Sequence, residues 1–104
     1  MTSTKNQNGS GEGCPAERLL KALSGKWKPQ IFRLAVENPV RFSSLMRDME
    51  GANKQSVSLA LKELEEEGLL IKHIIQEKPL HIEYVLSEKG KEVIPVFLEL
   101  ERML

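Results

Sequence analysis

RFSSLMRDMEGANKQSVSLALKELEEEGLLIKHIIQEKPLHIEYVL, residues 41–86, is the stretch on which the fold turns. Two glycines divide it. Before Gly51, Leu45, Met46 and Met49 recur at helical spacing, and Ser43 or Ser44 is placed to cap a short helix running through Glu50. Between the glycines lies a longer helix, Lys54 to Glu67. Asn53 is its expected N-cap, and Val57, Ala60, Leu61 and Leu64 form its apolar face. After Gly68 the period changes to that of strands, Leu69 to Gln76 and His81 to Leu86, joined by the polar tip Glu77-Lys78-Pro79-Leu80. In the second strand Ile82, Tyr84 and Leu86 share one face and Glu83 and Val85 the other.

Upstream, Pro15 opens a first helix with Leu19, Leu20 and Leu23 as its stripe, and Gly25 closes it. Pro29 lies near the start of a second helix. Its Ile31, Phe32, Leu34, Ala35 and Val36 are too apolar for a surface element, and Asn38-Pro39 stops it. Val40 to Phe42 is short and extended. Downstream, Ser87 caps a last helix reaching Leu104, with Pro95 inside it as a kink or a looser first half. Its apolar residues cover most of its circumference. Either the first two helices cover them, or a second copy of the chain does, through Leu19, Leu20, Val93, Phe97, Leu100 and Leu104. A short helix, a glycine turn and a longer helix make a helix-turn-helix, and the hairpin after it makes a wing. The expected class is mainly α with a small β-hairpin wing, a winged helix-turn-helix.

Composition narrows the function. The chain has 104 residues, the length of one domain, expected to span residues 14–104. Residues 1–13 are rich in Ser, Thr, Asn, Gln and Gly and read as a disordered tail, not a signal peptide. No apolar run approaches the ~20 residues that span a bilayer, so no membrane partner is expected. The single cysteine, Cys14, excludes an internal disulfide and suits a reducing cytoplasm. Net charge is zero, which argues against a protein that coats nucleic acid indiscriminately. The distribution is uneven: Arg18, Lys21, Lys26, Lys28, Arg33, Arg41 and Arg47 outnumber the acids before Asn53, and residues 82–104 are acidic. His73 and His81 without a carboxylate cluster make no metal site. No phosphate loop, nucleophile elbow or carboxylate pair is visible, so no enzyme and no cofactor are expected.

The longer helix is split by polarity. Lys54, Gln55, Ser58, Leu59 and Lys62 point away from its apolar face, whereas Glu63, Glu65, Glu66 and Glu67 crowd its end. Gln pairs with adenine, Lys reaches guanine or phosphate, and an outward leucine suits a thymine methyl; the alternative is a solvated face. Such a helix enters a major groove one way round, because its acidic end repels phosphate. Lys28, Arg41 and Ser43 flank helix N-termini where an anion is favoured, and Lys78 and His81, with Lys72, equip the wing for backbone or minor groove. Trp27 is read as a core or interface anchor rather than a ligand contact. Cys14 begins the first helix, where a thiol pKa is lowered; it is either an inert cysteine or a redox sensor.

Five segments in register carry a resemblance: Cys14-Pro15-Ala16-Glu17, Gly25-Lys26-Trp27-Lys28-Pro29, Arg41-Phe42-Ser43-Ser44-Leu45, residues 61–69 (LKELEEEGL) and residues 83–90 (EYVLSEKG). Together they are similar to the HxlR-type winged helix-turn-helix transcriptional regulators of bacteria and archaea. The resemblance implies a homodimer through the first and last helices and a near-palindromic operator of double-stranded DNA. It also implies, in some relatives, a sensing cysteine at the position of Cys14. Two positions depart from the family: His81 stands where an arginine is frequent, and Leu59-Ala60 where polar residues are common. No effector is legible. Winged helices also serve as protein-interaction modules without nucleic acid, and that alternative stays open at the level of sequence.

Overall fold

The computed structural model describes residues 15–103; the expected tail, Cys14 and Leu104 lie outside the described residues. The order is α1 (Pro15–Ala22), α2 (Lys28–Glu37), α3 (Phe42–Asp48), α4 (Lys54–Glu66), β1 (Leu70–Glu77), β2 (Leu80–Leu86) and α5 (Glu88–Arg102), the expected winged helix-turn-helix.

The turn between α3 and α4 follows from its residues. Gly51 has φ +90°, which a side chain would strain, so the chain reverses there. Asn53 caps α4 as expected and does so reciprocally: its Oδ1 accepts from Ser56 N–H at 2.8 Å while Ser56 Oγ accepts from Asn53 N–H at 3.0 Å. At the other end Leu69 N–H donates to Leu64 O at 2.9 Å and Gly68 N–H to Glu65 O at 3.0 Å, a Schellman closure that requires the +80° φ of Gly68. The cap of α3 differs from expectation. Neither Ser43 nor Ser44 caps it; Arg41 is the N-cap residue, with extended backbone and no side-chain bond. Val40 pairs with Tyr84 through bonds of 2.9 and 2.8 Å, which holds the chain extended up to Arg41 and leaves both serines inside the first turn.

The wing is antiparallel, with Leu70 opposite Leu86 at its base and Glu77 opposite Leu80 at its tip. The connection is therefore only Lys78-Pro79, joined by a cis peptide, tighter than the expected four-residue tip. A bulge falls between Ile74 and Gln76, so Ile75 has no partner across the ladder.

Ser87 caps α5, its Oγ accepting from Gly90 N–H at 2.9 Å, and α5 continues through Pro95. The core is built from Ile31 and Phe32 of α2, Leu45 and Met49, Val57, Leu61 and Leu64 of α4, Leu69 and Leu70 at the hairpin base, and Val93 and Phe97 of α5. The Phe32 and Phe97 rings meet at 4.9 Å, tilted by 54°. Val93 and Phe97 are each only 7% exposed within one chain and belong to its core, and Phe97 also lines the groove between α1 and α5. Arg33 ties α2 to Glu101 of α5 at 2.5 Å.

Candidate nucleic-acid interface

The face of α4 opposite the core is set by helical geometry. Val57, Ala60, Leu61 and Leu64 are buried. At 3.6 residues per turn the opposite stripe is Gln55, Leu59, Lys62 and Glu66, flanked by Lys54 and Ser58, and all six are exposed. Leu59 is 55% exposed on this polar face. It borders a shallow depression of about 160 Å³ formed with Trp27, Lys26, Ser24, Ser56 and Glu63. Trp27 itself packs half-buried on the core, with the Lys26 ammonium 4.9 Å from its ring centroid.

Ion pairing sorts the cations. Arg18 meets Glu67, Arg33 meets Glu101, Arg47 meets Asp48, Lys91 meets Glu88 and Arg102 meets Glu99. By contrast Lys21, Lys26 and Lys89, and the five cations Arg41, Lys54, Lys62, Lys72 and Lys78, are exposed and have no carboxylate within ion-pair distance among the described residues. These five lie at the start of α3, along α4 and on the wing. Five of the eight exposed cations without such a partner thus lie on the elements of the helix-turn-helix and wing, the other three being on α1, on the α1–α2 connection and on α5.

Two expected contacts are placed otherwise. Lys28 is not free for phosphate: its Nζ donates to Lys21 O at 3.1 Å and pairs with Glu63 at 3.1 Å, fastening the end of α1 and the start of α2 to α4. His81 faces Glu83 at 3.1 Å, two residues along the same side of β2, and both side chains are mostly covered. Arg41 and Ser43 are exposed at the start of α3, and Lys78 is exposed at the wing tip. The glutamates closing α4 are not a uniform solvated run either. Glu63 and Glu67 are engaged by Lys28 and Arg18, Lys89 donates to Glu67 O at 2.9 Å, and only Glu65 and Glu66 are exposed without an ion-pair partner. Tyr84 of β2 has its phenol pKa raised, first by burial and then by the Glu65 carboxylate across the α4–wing junction.

A further surface was not anticipated. Ile71, Ile74, Ile75 and Leu80 are exposed on the wing. Strand periodicity places apolar residues on a face but does not say how far a hairpin projects beyond the body it leans on. No group of three His, Cys, Asp or Glu able to hold a metal occurs among the described residues, and none of their helices is long and apolar enough to cross a membrane.

A capped recognition-type helix, a turn at a left-handed glycine and a wing carrying free cations define a winged helix-turn-helix protein. Residues 22–104 match the family described as HxlR-like helix-turn-helix. The chain is 31% identical over 101 residues to YybR, an uncharacterized HTH-type transcriptional regulator of Bacillus subtilis, covering 97% of this chain and 81% of that protein. It is 34% identical over 87 residues to YdzF of the same organism, covering 83% and 80%. Its structure is similar to the redox regulator HypR in its reduced form, with TM-score 0.80 and 28% identity over 86% of this chain and 88% of that one. It is also similar to the reduced form of the transcriptional regulator YodB from B. subtilis, with TM-score 0.76 and 26% identity over 86% and 89%. The chain belongs to the HxlR-like helix-turn-helix family and is a DNA-binding transcriptional regulator.

Proposed function

We propose that the protein binds a near-palindromic operator as a homodimer, in the cytoplasm, with α4 of each copy in a major groove. The supporting observation is the exposed α4 face with unpaired Lys54 and Lys62 beside Gln55 and Ser58. Lys54, Gln55, Ser58, Leu59 and Lys62 take the bases and adjoining backbone; Arg41, Ser43 and Lys78 take phosphates. Lys28 and His81 act at one remove, by holding α4 and the wing strand. The dimer is assigned to α1 and α5, where Leu20, Val96, Leu100 and Met103 are exposed around an apolar groove of about 290 Å³ lined by Leu19, Leu20, Leu23, Pro29, Val96 and Leu100 among others. The folded unit is taken as residues 14–104.

Selection of bound duplexes from fragmented genomic DNA by the purified protein tests this reading. Half-sites about one helical turn apart, ~34 Å, or a multiple of it, are expected. Failure to enrich any duplex over input would overturn it.

The likeness to HypR, a redox regulator, supports a second role for Cys14. Two Cys14 thiols, one from each copy, would give two electrons and two protons to an oxidant and join as an intersubunit disulfide. Non-reducing electrophoresis and DNA titration after diamide treatment, with the parent and Cys14→Ser, test it; identical responses would end the idea.

A further inference from the structure

We infer that the wing enters the minor groove as an apolar wedge and bends the DNA it binds, an inference that rests on the DNA-binding reading above. Four of the large hydrophobic side chains left exposed by this fold sit on a single hairpin: Ile71, Ile74, Ile75 and Leu80. Leu80, 61% exposed, opens β2 directly after Pro79 at the tip, and Ile75, 53% exposed, is turned out of the ladder by the bulge. Isoleucine, leucine and proline are the side chains that minor-groove proteins push between base steps.

The chemistry around the patch selects duplex DNA over a protein partner. Lys72 on β1 and Lys78 at the tip lie beside the aliphatic groups and lack carboxylate partners among the described residues, and Glu77 is the exposed acid at the tip, so cations that pair with backbone phosphates outnumber it two to one. The one histidine near the tip of β2 is held by Glu83. At its tip the wing therefore offers the minor groove aliphatic groups and a lysine. Strand addition by a second copy is disfavoured, because β1 is an edge carrying a bulge at Ile75 and a lysine at Lys72, two devices that block edge pairing.

A wedge unstacks a base step, bends the duplex by roughly 20–90° and favours flexible TA or CA/TG steps at the contact point. The test uses the duplex enriched by the full-length parent protein, end-labelled for energy transfer and circularly permuted for gel mobility. The parent should bend it. Ile75→Ser/Leu80→Ser should lose at least half of the bend and the preference for a pyrimidine–purine step under the wing, keep the base preferences under α4, and retain its circular dichroism, since both side chains are exposed. Leu80→Met should keep the bend. Lys78→Ala should weaken binding and lower the salt slope while leaving the bend in place. A straight parent complex, or a bend unchanged by the double substitution, would overturn the wedge and leave DNA binding standing. A change in sedimentation of the free protein on double substitution would assign the patch to contact between copies and also overturn it. A parent that enriches no duplex would remove both readings together.

Discussion

At Gly90 the fold depends on the absence of a single carbon. A Cβ there would lie 2.4 Å from Leu69 O and 3.2 Å from Leu86 Cδ2, so the first turn of α5 sits directly on the backbone where α4 passes into the wing. The obstruction is main chain, which cannot turn aside. Gly90→Ala should therefore destabilise the protein by about 1–3 kcal/mol, despite the alanine's better helix propensity. Urea denaturation with an unchanged m-value would measure it, and a variant as stable as the parent would show that α5 can shift at no cost. Tyr84, the only tyrosine, gives a second test. Its folded pKa is raised above the ordinary value near 10 because burial, and then Glu65, disfavour the phenolate. The sign follows: the neutral phenol's contribution is complete below the unfolded pKa and is lost as pH rises through the higher folded one. Tyrosinate absorbance should show a midpoint above 10 in the native protein, a lower one in Glu65→Gln, and the ordinary value in denaturant. A native midpoint unchanged by Glu65→Gln would refute the proximity of the phenol to α4, and coincident native and denatured curves would refute its burial as well.

The elements differ in how openly the sequence declares them. Asn53 before α4 and Ser87 before α5 are legible because a cap is a local bond, made three residues away. The start of α3 is hidden because it is imposed by Val40 pairing with Tyr84, forty-four positions along the chain. Lys28 was legible as a cation at a helix start, yet its partner Glu63 is set by how α2 packs on α4, which no spacing rule reports. The same holds for Val93 and Phe97, whose side of α5 is chosen by contact with α2 rather than by composition. The outward stripe of α4, by contrast, is legible, since four buried residues at helical spacing fix the opposite side. This contrast gives an element-level prediction. Arg41→Ala should lower the slope of log K against log salt by about one, because its charge is unpaired. Lys28→Met should leave that slope unchanged while reducing stability modestly, by about 0–1 kcal/mol, as expected for a partly exposed pair. Equal salt slopes for the two variants would mean that pairing does not decide which cations meet DNA.

For the whole molecule the decisive quantity is the apolar surface left on α1 and α5. Leu20 is 61% exposed and Met103 73%, with Val96, Leu98 and Leu100 near half, while no polar or charged side chain is buried among the described residues. Covering an aliphatic side chain fully is worth about 1.5–3 kcal/mol, so partial burial of these groups on two copies supplies on the order of 10 kcal/mol. Association costs about 4–15 kcal/mol, so the two terms nearly cancel and the outcome is sensitive to single changes. A two-fold interface doubles each substitution, because every residue occurs on both sides of the axis. Leu20→Glu should therefore place two charges in the apolar seam and weaken the dimer by at least 3 kcal/mol, roughly a hundredfold or more in Kd. Since Leu20 lies outside the core, the monomer should keep its helical circular dichroism, and its melting temperature should no longer rise with protein concentration. Operator affinity should fall with it, because one α4 alone contacts one half-site. Sedimentation equilibrium of parent and Leu20→Glu across a wide concentration range measures the first effect. A parent that sediments as a monomer at operator-binding concentrations would leave the exposed seam to another partner and would require each copy to recognise DNA by itself.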